Sequence, residues 1–103
     1  MNVIAPKKVR AFINVYPDSE IVLREWYNAL RNADYAHFAI LRSQFSGVDL
    51  THNQLNDPVH IFNVGGNKYR VICFINFENQ TAYIKYIFTH SEYDRWNQLG
   101  RPA

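Results

Sequence analysis

The hydrophobic periodicity of the chain changes near its middle, and this change constrains the fold more than any other feature. In the first half, apolar residues recur at helical spacing, as in Val9, Phe12, Ile13 and Tyr16. After Pro58, segments rich in Val, Ile, Tyr, Phe and Thr are typical of strands. Helices followed by consecutive strands predict an α+β fold.

The N-terminal half predicts three helices separated by polar turn residues. Pro6 suits the first turn of the first helix, and Pro17 is expected to end it. Asp18 and Asp34 are expected to cap the second and third helices. Residues 48–58 are rich in Asn, Asp and Thr, so they predict a loop.

The C-terminal half predicts a three-stranded antiparallel meander followed by a short helix. The N-terminal helices are expected to pack on one face of this sheet. The expected strands are Val59–Val64, Lys68–Phe77 and Thr81–Thr89, with turns at residues 65–67 and 78–80.

The polarity of the second hairpin predicts its register. We expect Asn79-Gln80 to form a two-residue loop, which places Phe74 opposite Lys85. The same register places Arg70 opposite Thr89. One face is then almost wholly apolar and is expected to pack under the helices; it comprises Tyr69, Val71, Cys73, Ile75, Phe77, Ala82, Ile84, Tyr86 and Phe88.

The opposite face of the predicted sheet gathers basic and aromatic side chains. It carries Lys68, Arg70 and Lys85, interleaved with Phe74 and Tyr83. Cations that bind phosphates and rings that stack on bases are typical of single-stranded RNA binding. A solvated outer face explains the same pattern, since antiparallel sheets commonly face water on one side. In either case Arg70 is expected to project outward, so its loss would cost little stability.

Residues 89–92, Thr-His-Ser-Glu, have the spacing of a capping box, which predicts a helix with His90 at its first position. Tyr93 and Asp94 follow three and four residues later, hence on the same helical side. Asp94 would orient the imidazole, and Tyr93 would stack on a base or donate a proton. A capped surface helix with a structural histidine explains the same spacing.

The other histidines and the single cysteine give weaker signals. We interpret His60 as a hydrogen-bonded structural residue, and His37 and His52 as solvated side chains. Cys73 falls on the apolar sheet face, so we expect an inert buried thiol.

Composition limits the class of protein. The 103 residues, 48% of them hydrophobic, fit one domain spanning residues 1–103 and exclude a disordered tail. The chain has no apolar run of membrane-spanning length, no secretory signal and no zinc-ligand spacing. We therefore expect a cytoplasmic protein without metal or cofactor.

A net charge of +2 is too small to indicate nucleic-acid binding by itself. Lys7, Lys8 and Arg10 open the first helix, where they form either a solvated face or extra contacts to the backbone of a large RNA.

Two blocks of the chain resemble a known family. Residues 61–71 read Ile-Phe-Asn-Val-Gly-Gly-Asn-Lys-Tyr-Arg-Val and are similar to the FN-hydrophobic-GGN block of HigB-type toxins. Residues 83–94 end in Thr-His-Ser-Glu-Tyr-Asp and resemble the THxEYD ending of that family. Residues 16–20 also fit the family's first interhelical turn.

The resemblance implies the RelE/ParE-like fold and a type II toxin–antitoxin role. It implies a messenger-RNA endonuclease that acts on the ribosome and is restrained by a HigA-like helix-turn-helix antitoxin. Arg70 matches the position of an arginine that binds the scissile phosphate, and His90 falls where the superfamily places catalytic residues. ParE-like relatives act instead on gyrase, which leaves a non-catalytic inhibitory binding protein as the alternative.

Under the nuclease hypothesis, cleavage is a metal-independent transesterification. The ribose 2′-OH attacks the adjacent phosphate, giving a 2′,3′-cyclic phosphate and a free 5′-OH. His90 acts as base or acid, and Arg70, Lys68 and Lys85 stabilise the charge that develops on the phosphorane.

Overall fold

The computed structural model describes residues 1–103 and contains four helices and five strands. The helices are α1 (Pro6–Val15), α2 (Glu20–Arg31), α3 (Phe38–Gln44) and α4 (His90–Gln98). The strands are β1 (Asn2–Ile4), β2 (Asp49–His52), β3 (Pro58–Val64), β4 (Tyr69–Asn76) and β5 (Thr81–Thr89). None of these helices is long and apolar enough to cross a membrane.

The predicted α+β fold is confirmed, but the prediction of a three-stranded sheet is wrong. The sheet has five strands in the order β1-β5-β4-β3-β2, and the predicted meander forms its centre. Strand β1 pairs with β5 in parallel, with Val3 opposite Ala82. Three residues are too few to show a strand periodicity, and their partner lies at the far end of the sequence. The local sequence pattern therefore does not indicate β1.

Strand β2 lies inside residues 48–58, which the sequence predicts as a loop. It is antiparallel to β3, with Leu50 opposite His60. As an edge strand it is bonded on one side only, and three of its four residues are exposed. Asp49, Thr51 and His52 are polar residues of the kind common in loops, which explains the error.

The predicted boundaries of the first helix are correct, but both predicted helix caps are wrong. Helix α1 begins at Pro6 and ends before Pro17, as expected. The cap residues of α2 and α3 are Ser19 and His37 rather than the predicted Asp18 and Asp34. Asp18 falls inside a short 3-10 turn over residues 17–19. The carboxylate of Asp34 instead accepts a hydrogen bond from the N-terminal amine at 3.3 Å.

The main core lies between the first three helices and one face of the sheet, as predicted. Helices α1 to α3 contribute Val9, Ile13, Leu23, Trp26, Leu30 and Leu41. The sheet contributes Val3, Phe62, Val64, Val71, Cys73, Ala82 and Ile84. This burial of aliphatic and aromatic surface is the principal source of stability in a fold of this kind.

A second, smaller core lies on the opposite face of the sheet, where α4 packs. Trp96 of α4 is buried there against Val59, Ile61 and Ile72. Its indole Nε1 donates a hydrogen bond to the carbonyl oxygen of Pro102 at 2.9 Å. The Tyr86 hydroxyl of β5 donates to the carbonyl oxygen of Ala103 at 2.8 Å, so the C-terminal residues link α4 to the sheet.

The predicted register of the β4–β5 hairpin is wrong. The turn is centred on Glu78-Asn79, so Phe74 pairs with Tyr83 rather than with Lys85. Farther from the turn a β-bulge interrupts the ladder: Ile72 pairs with Tyr86 and Cys73 with Ile84. Lys85 is the extra residue of this bulge.

The bulge reverses which side chains at the end of β5 point toward the main core and which point toward the second core. The reason is that a shift of one residue inverts the alternation of side chains along a strand. Ala82 and Ile84 lie in the main core, as predicted. Beyond the bulge, Tyr86 and Phe88 pack in the second core instead, and Ile87 packs against the main one. Arg70 consequently lies opposite Phe88 and not opposite Thr89.

Candidate functional site

The predicted capping box at the start of α4 is confirmed. The Thr89 hydroxyl accepts a hydrogen bond from the backbone N–H of Glu92 at 3.3 Å. The carboxylate of Glu92 accepts one in return from the backbone N–H of Thr89 at 2.8 Å. His90 is therefore the first helical residue, held at the end of β5 by two reciprocal bonds.

His90 and Asp94 form a pair on the exposed side of α4. The imidazole Nε2 lies 3.3 Å from Oδ2 of Asp94, and about half of each side chain is exposed, 55% and 52% respectively. A carboxylate at Nε2 orients the ring and leaves Nδ1 free for a ligand. The arrangement suits proton transfer to or from a bound group, and the catalytic role of both residues stays a prediction.

Arg70 is buried beneath α4, with 8% of its surface exposed, which contradicts the expectation that it projects freely outward. Its guanidinium carbon lies 5.0 Å from the centre of the Tyr93 ring. The sequence pattern assigns Arg70 to the correct face, but α4 covers this face and leaves it less open than expected.

The buried Arg70 still has hydrogen-bonding capacity. Its Nη1 donates to the carbonyl oxygen of Tyr69 at 3.3 Å, while its other two nitrogens make no protein hydrogen bond and are not fully enclosed. Because a guanidinium carries five N–H donors, several remain available to a phosphate that approaches Arg70 beside α4.

The other predicted RNA-binding residues lie farther along the sheet. The Lys85 ammonium is 5.8 Å from the Phe74 ring centre, so the bulge directs this cation toward Phe74 despite the different register. Tyr83 lies opposite Phe74 and is 45% exposed. Phe74 is four residues from Arg70 on β4, a separation of about 13 Å along an extended strand.

Lys68 is exposed in the turn before β4, whereas the sequence places it within the strand. The next residue, Tyr69, lies opposite Thr89. Lys68 is therefore at the same end of the sheet as His90. The structure thus divides the predicted site into a zone around the start of α4 and a second zone around Lys85.

The sequence did not indicate the cluster of aromatic rings that supports this site. Tyr86 and Phe88 stack with ring centres 5.0 Å apart, and both rings neighbour Trp96. Trp96 also lies 6.1 Å from Tyr93, ring centre to ring centre. The helical spacing of Tyr93 and Trp96 was a usable signal, but the bulge that turns Tyr86 and Phe88 to this side was not visible in the sequence.

His60 and Cys73 lie outside the site. The His60 ring is buried between Phe38 and Phe77, and neither nitrogen has a hydrogen-bond partner, so the prediction of a hydrogen-bonded histidine is wrong. Burial lowers the pKa of His60 to about 4. Cys73 is buried as expected, and burial raises the pKa of its thiol. No group of three or more His, Cys, Asp or Glu side chains is placed to hold a metal ion.

A comparison with models of protein families assigns the chain to a family. Residues 19–96 match the model of the HigB toxin, a RelE-like toxic component of a toxin–antitoxin system. This chain therefore belongs to the HigB family. The residues matched to the HigB model include Arg70, Lys85 and the His90–Asp94 pair, whereas α1 lies outside them.

Curated HigB relatives match nearly the whole chain. The mRNA interferase HigB of Escherichia coli O6:H1 is 28% identical over 101 residues, covering 98% of this chain and 96% of the relative. The mRNA interferase toxin HigB of Escherichia coli K12 and the mRNA interferase HigB of Shigella flexneri are each 30% identical over 101 residues, covering 98% of this chain and 95% of the relative. The similarity to HigB proteins thus extends to the α1 region.

Proposed function

We propose that this HigB-family toxin is a messenger-RNA endonuclease. The observation that carries the proposal is the His90–Asp94 pair, 3.3 Å apart at the start of α4, on the helix whose Tyr93 contacts Arg70. A group that can transfer a proton and a guanidinium that can bind the phosphate both assist the cleavage of a phosphodiester. The relatives named mRNA interferases support the same substrate.

In the proposed mechanism, the ribose 2′-OH is the nucleophile and no metal takes part. The 2′-oxygen bonds to phosphorus, and the bond from phosphorus to the 5′-oxygen breaks. His90 removes the 2′ proton or protonates the leaving oxygen, while Asp94 holds the imidazole in position. The free N–H groups of Arg70 bind the phosphate and stabilise the charge that develops on its oxygens.

The remaining residues of the site bind the RNA on either side of the cleaved bond. Lys68 and Lys85 are exposed or half-exposed cations that contact neighbouring phosphates. Phe74 and Tyr83 form a facing pair next to Lys85, and each base stacked there would add about 1–3 kcal/mol. Tyr93 packs on Arg70 and either stacks on a base or supplies a proton.

Analysis of the RNA products tests this function. Purified toxin incubated with messenger RNA on programmed ribosomes should give fragments with 2′,3′-cyclic phosphate and free 5′-OH ends. Fragments with 5′-phosphate and 3′-OH ends would refute the mechanism, because they arise when water rather than the 2′-OH attacks the phosphate. Intact RNA together with inhibited DNA supercoiling would instead support a non-catalytic blocker of the ParE kind.

We further infer that the toxin cuts messenger RNA on the ribosome in the cytoplasm and that a HigA-like helix-turn-helix antitoxin restrains it. The family is one component of a toxin–antitoxin pair, which supports an antitoxin partner. That partner would cover Lys68 and Lys85 or hold α4 away from the sheet. Both modes would be excluded by a complex in which these lysines remain as reactive to amine labelling as in the free toxin, with α4 unmoved.

A further inference from the structure

A second basic concavity lies between α1 and α2, away from the site at α4. These two helices pack on the main core, whereas α4 packs on the opposite face of the sheet. The cavity has a volume of about 410 Å³, a size typical of ligand-binding clefts. Its lining includes Arg10 from α1 with Arg24, Tyr27, Asn28 and Arg31 from α2.

The charge of this cavity is largely uncompensated. Arg24 pairs with Glu20, with Nε 3.0 Å from the carboxylate oxygen. Arg10 and Arg31 have no carboxylate within 4.0 Å. The Arg31 guanidinium lies 5.9 Å from the centre of the Tyr27 ring, so this cation is positioned by an aromatic face. Clustered cations without acidic partners favour a bound anion.

The other groups of the cavity favour a nucleic-acid backbone over other anions. Arginine donates paired N–H groups in a geometry that matches phosphate oxygens. Tyr27 supplies an aromatic face and Asn28 an amide, which are the groups that contact bases and sugars in single-stranded RNA complexes.

A basic path connects this cavity to the proposed cleavage site. Lys8 lies two residues before Arg10 on α1, and its ammonium donates to the carbonyl oxygen of Lys85 at 3.2 Å. A cleft of about 310 Å³ lies at this contact and is lined by Lys8, Lys85 and Tyr86, among others. The basic side chains on the first turns of α1 therefore extend from the cavity between α1 and α2 to the bulge of β5, around the edge of the sheet.

We propose that the arginine cavity between α1 and α2 binds backbone phosphates of the RNA, several nucleotides away from the bond that is cut. The proposal rests on the proposed action on RNA and adds a second contact that engages only longer chains. A strand held at Arg70 would pass Lys85 and Lys8 and reach Arg10 and Arg31.

The test measures how affinity depends on RNA length. Binding of Arg10→Glu is compared with that of Arg42→Glu, which makes the same charge change on α3, outside the cavity lining. The probes are uncleavable 2′-O-methyl RNAs of about four and about 20 nucleotides, since compact single-strand sites span roughly 4–16 nucleotides. Affinity is measured by fluorescence anisotropy over a salt series, with thermal unfolding to establish that both variants fold.

We expect Arg10→Glu to bind the long RNA about tenfold more weakly than Arg42→Glu does, with a salt slope reduced by about 0.7 for each phosphate that the variant no longer binds. Both variants should bind the short RNA like the wild type. Equal affinity of the two variants for the long RNA would overturn the proposal. So would impaired antitoxin binding with unchanged RNA affinity, which would assign the cavity to an acidic protein segment. Product analysis tests the cleavage mechanism separately from either result.

Discussion

The guanidinium of Arg70 lies 5.0 Å from the ring centre of Tyr93, and this contact joins strand β4 to helix α4. Arg70 is the residue proposed to bind the scissile phosphate, and Tyr93 belongs to the helix that carries His90. Arg70 and α4 therefore support one another, so we expect a change at Arg70 to affect both stability and cleavage.

Arg70→Ala should abolish toxicity and also lower the free energy of unfolding by about 1–3 kcal/mol, because it removes a buried side chain and its cation–π contact. The sequence alone predicts almost no loss of stability. Chemical denaturation together with single-turnover cleavage by the folded protein measures both effects. Arg70→Lys is the matched control, since it keeps the charge and removes the paired donors. An Arg70→Ala protein that is folded and still arrests growth would contradict the assignment.

His90→Gln should slow single-turnover cleavage on programmed ribosomes by about 10²–10⁴-fold, the usual contribution of general acid–base catalysis. RNA affinity should change little, because most of it is assigned to Arg70, the lysines and the aromatic rings. Since half of the His90 side chain is exposed, the melting temperature should also stay close to that of the wild type. A stable variant that cuts at the normal rate would remove His90 from the mechanism and leave Tyr93 as the next candidate.

Thr89→Ala should destabilise the protein by about 1 kcal/mol, because it removes the hydroxyl that caps α4. It should also slow cleavage, since the capping box holds His90 at the end of β5. Thr89→Ser keeps the hydroxyl and should retain both properties. Denaturant unfolding and single-turnover cleavage of the two variants provide the comparison, and equal behaviour of Ala and Ser would show that the cap does not position His90.

His60 should make the protein sensitive to acid. Its pKa of about 4 in the folded chain lies below its ordinary value of 6.5, so the unfolded chain binds more protons between these values. The free energy of unfolding should therefore fall by about 3 kcal/mol as the pH drops from 6.5 to 4. His60→Leu should flatten this dependence, while His52→Leu, at an exposed position, should not. Unfolding by urea at several pH values tests this, and identical slopes for all three proteins would contradict it.

The candidate site could be predicted in part because its local signals are strong. The spacing of Thr89 and Glu92 was sufficient to locate the start of α4 and the position of His90 within it. The same helical spacing predicted the contact between His90 and Asp94. The burial of Arg70 could not be predicted, because it depends on where α4 packs, and no local pattern encodes that contact.

By itself the sequence determined what depends on neighbouring residues: the helices of the first half, the three central strands, the capping box and the family blocks. Only the tertiary structure decided the pairing of β1 with β5, the edge strand β2 and the bulge at Lys85. Each of these depends on contacts between distant segments. The bulge has the largest effect, because one extra residue reverses the side-chain alternation at the end of β5. It thereby turns Tyr86 and Phe88 toward the second core beneath α4.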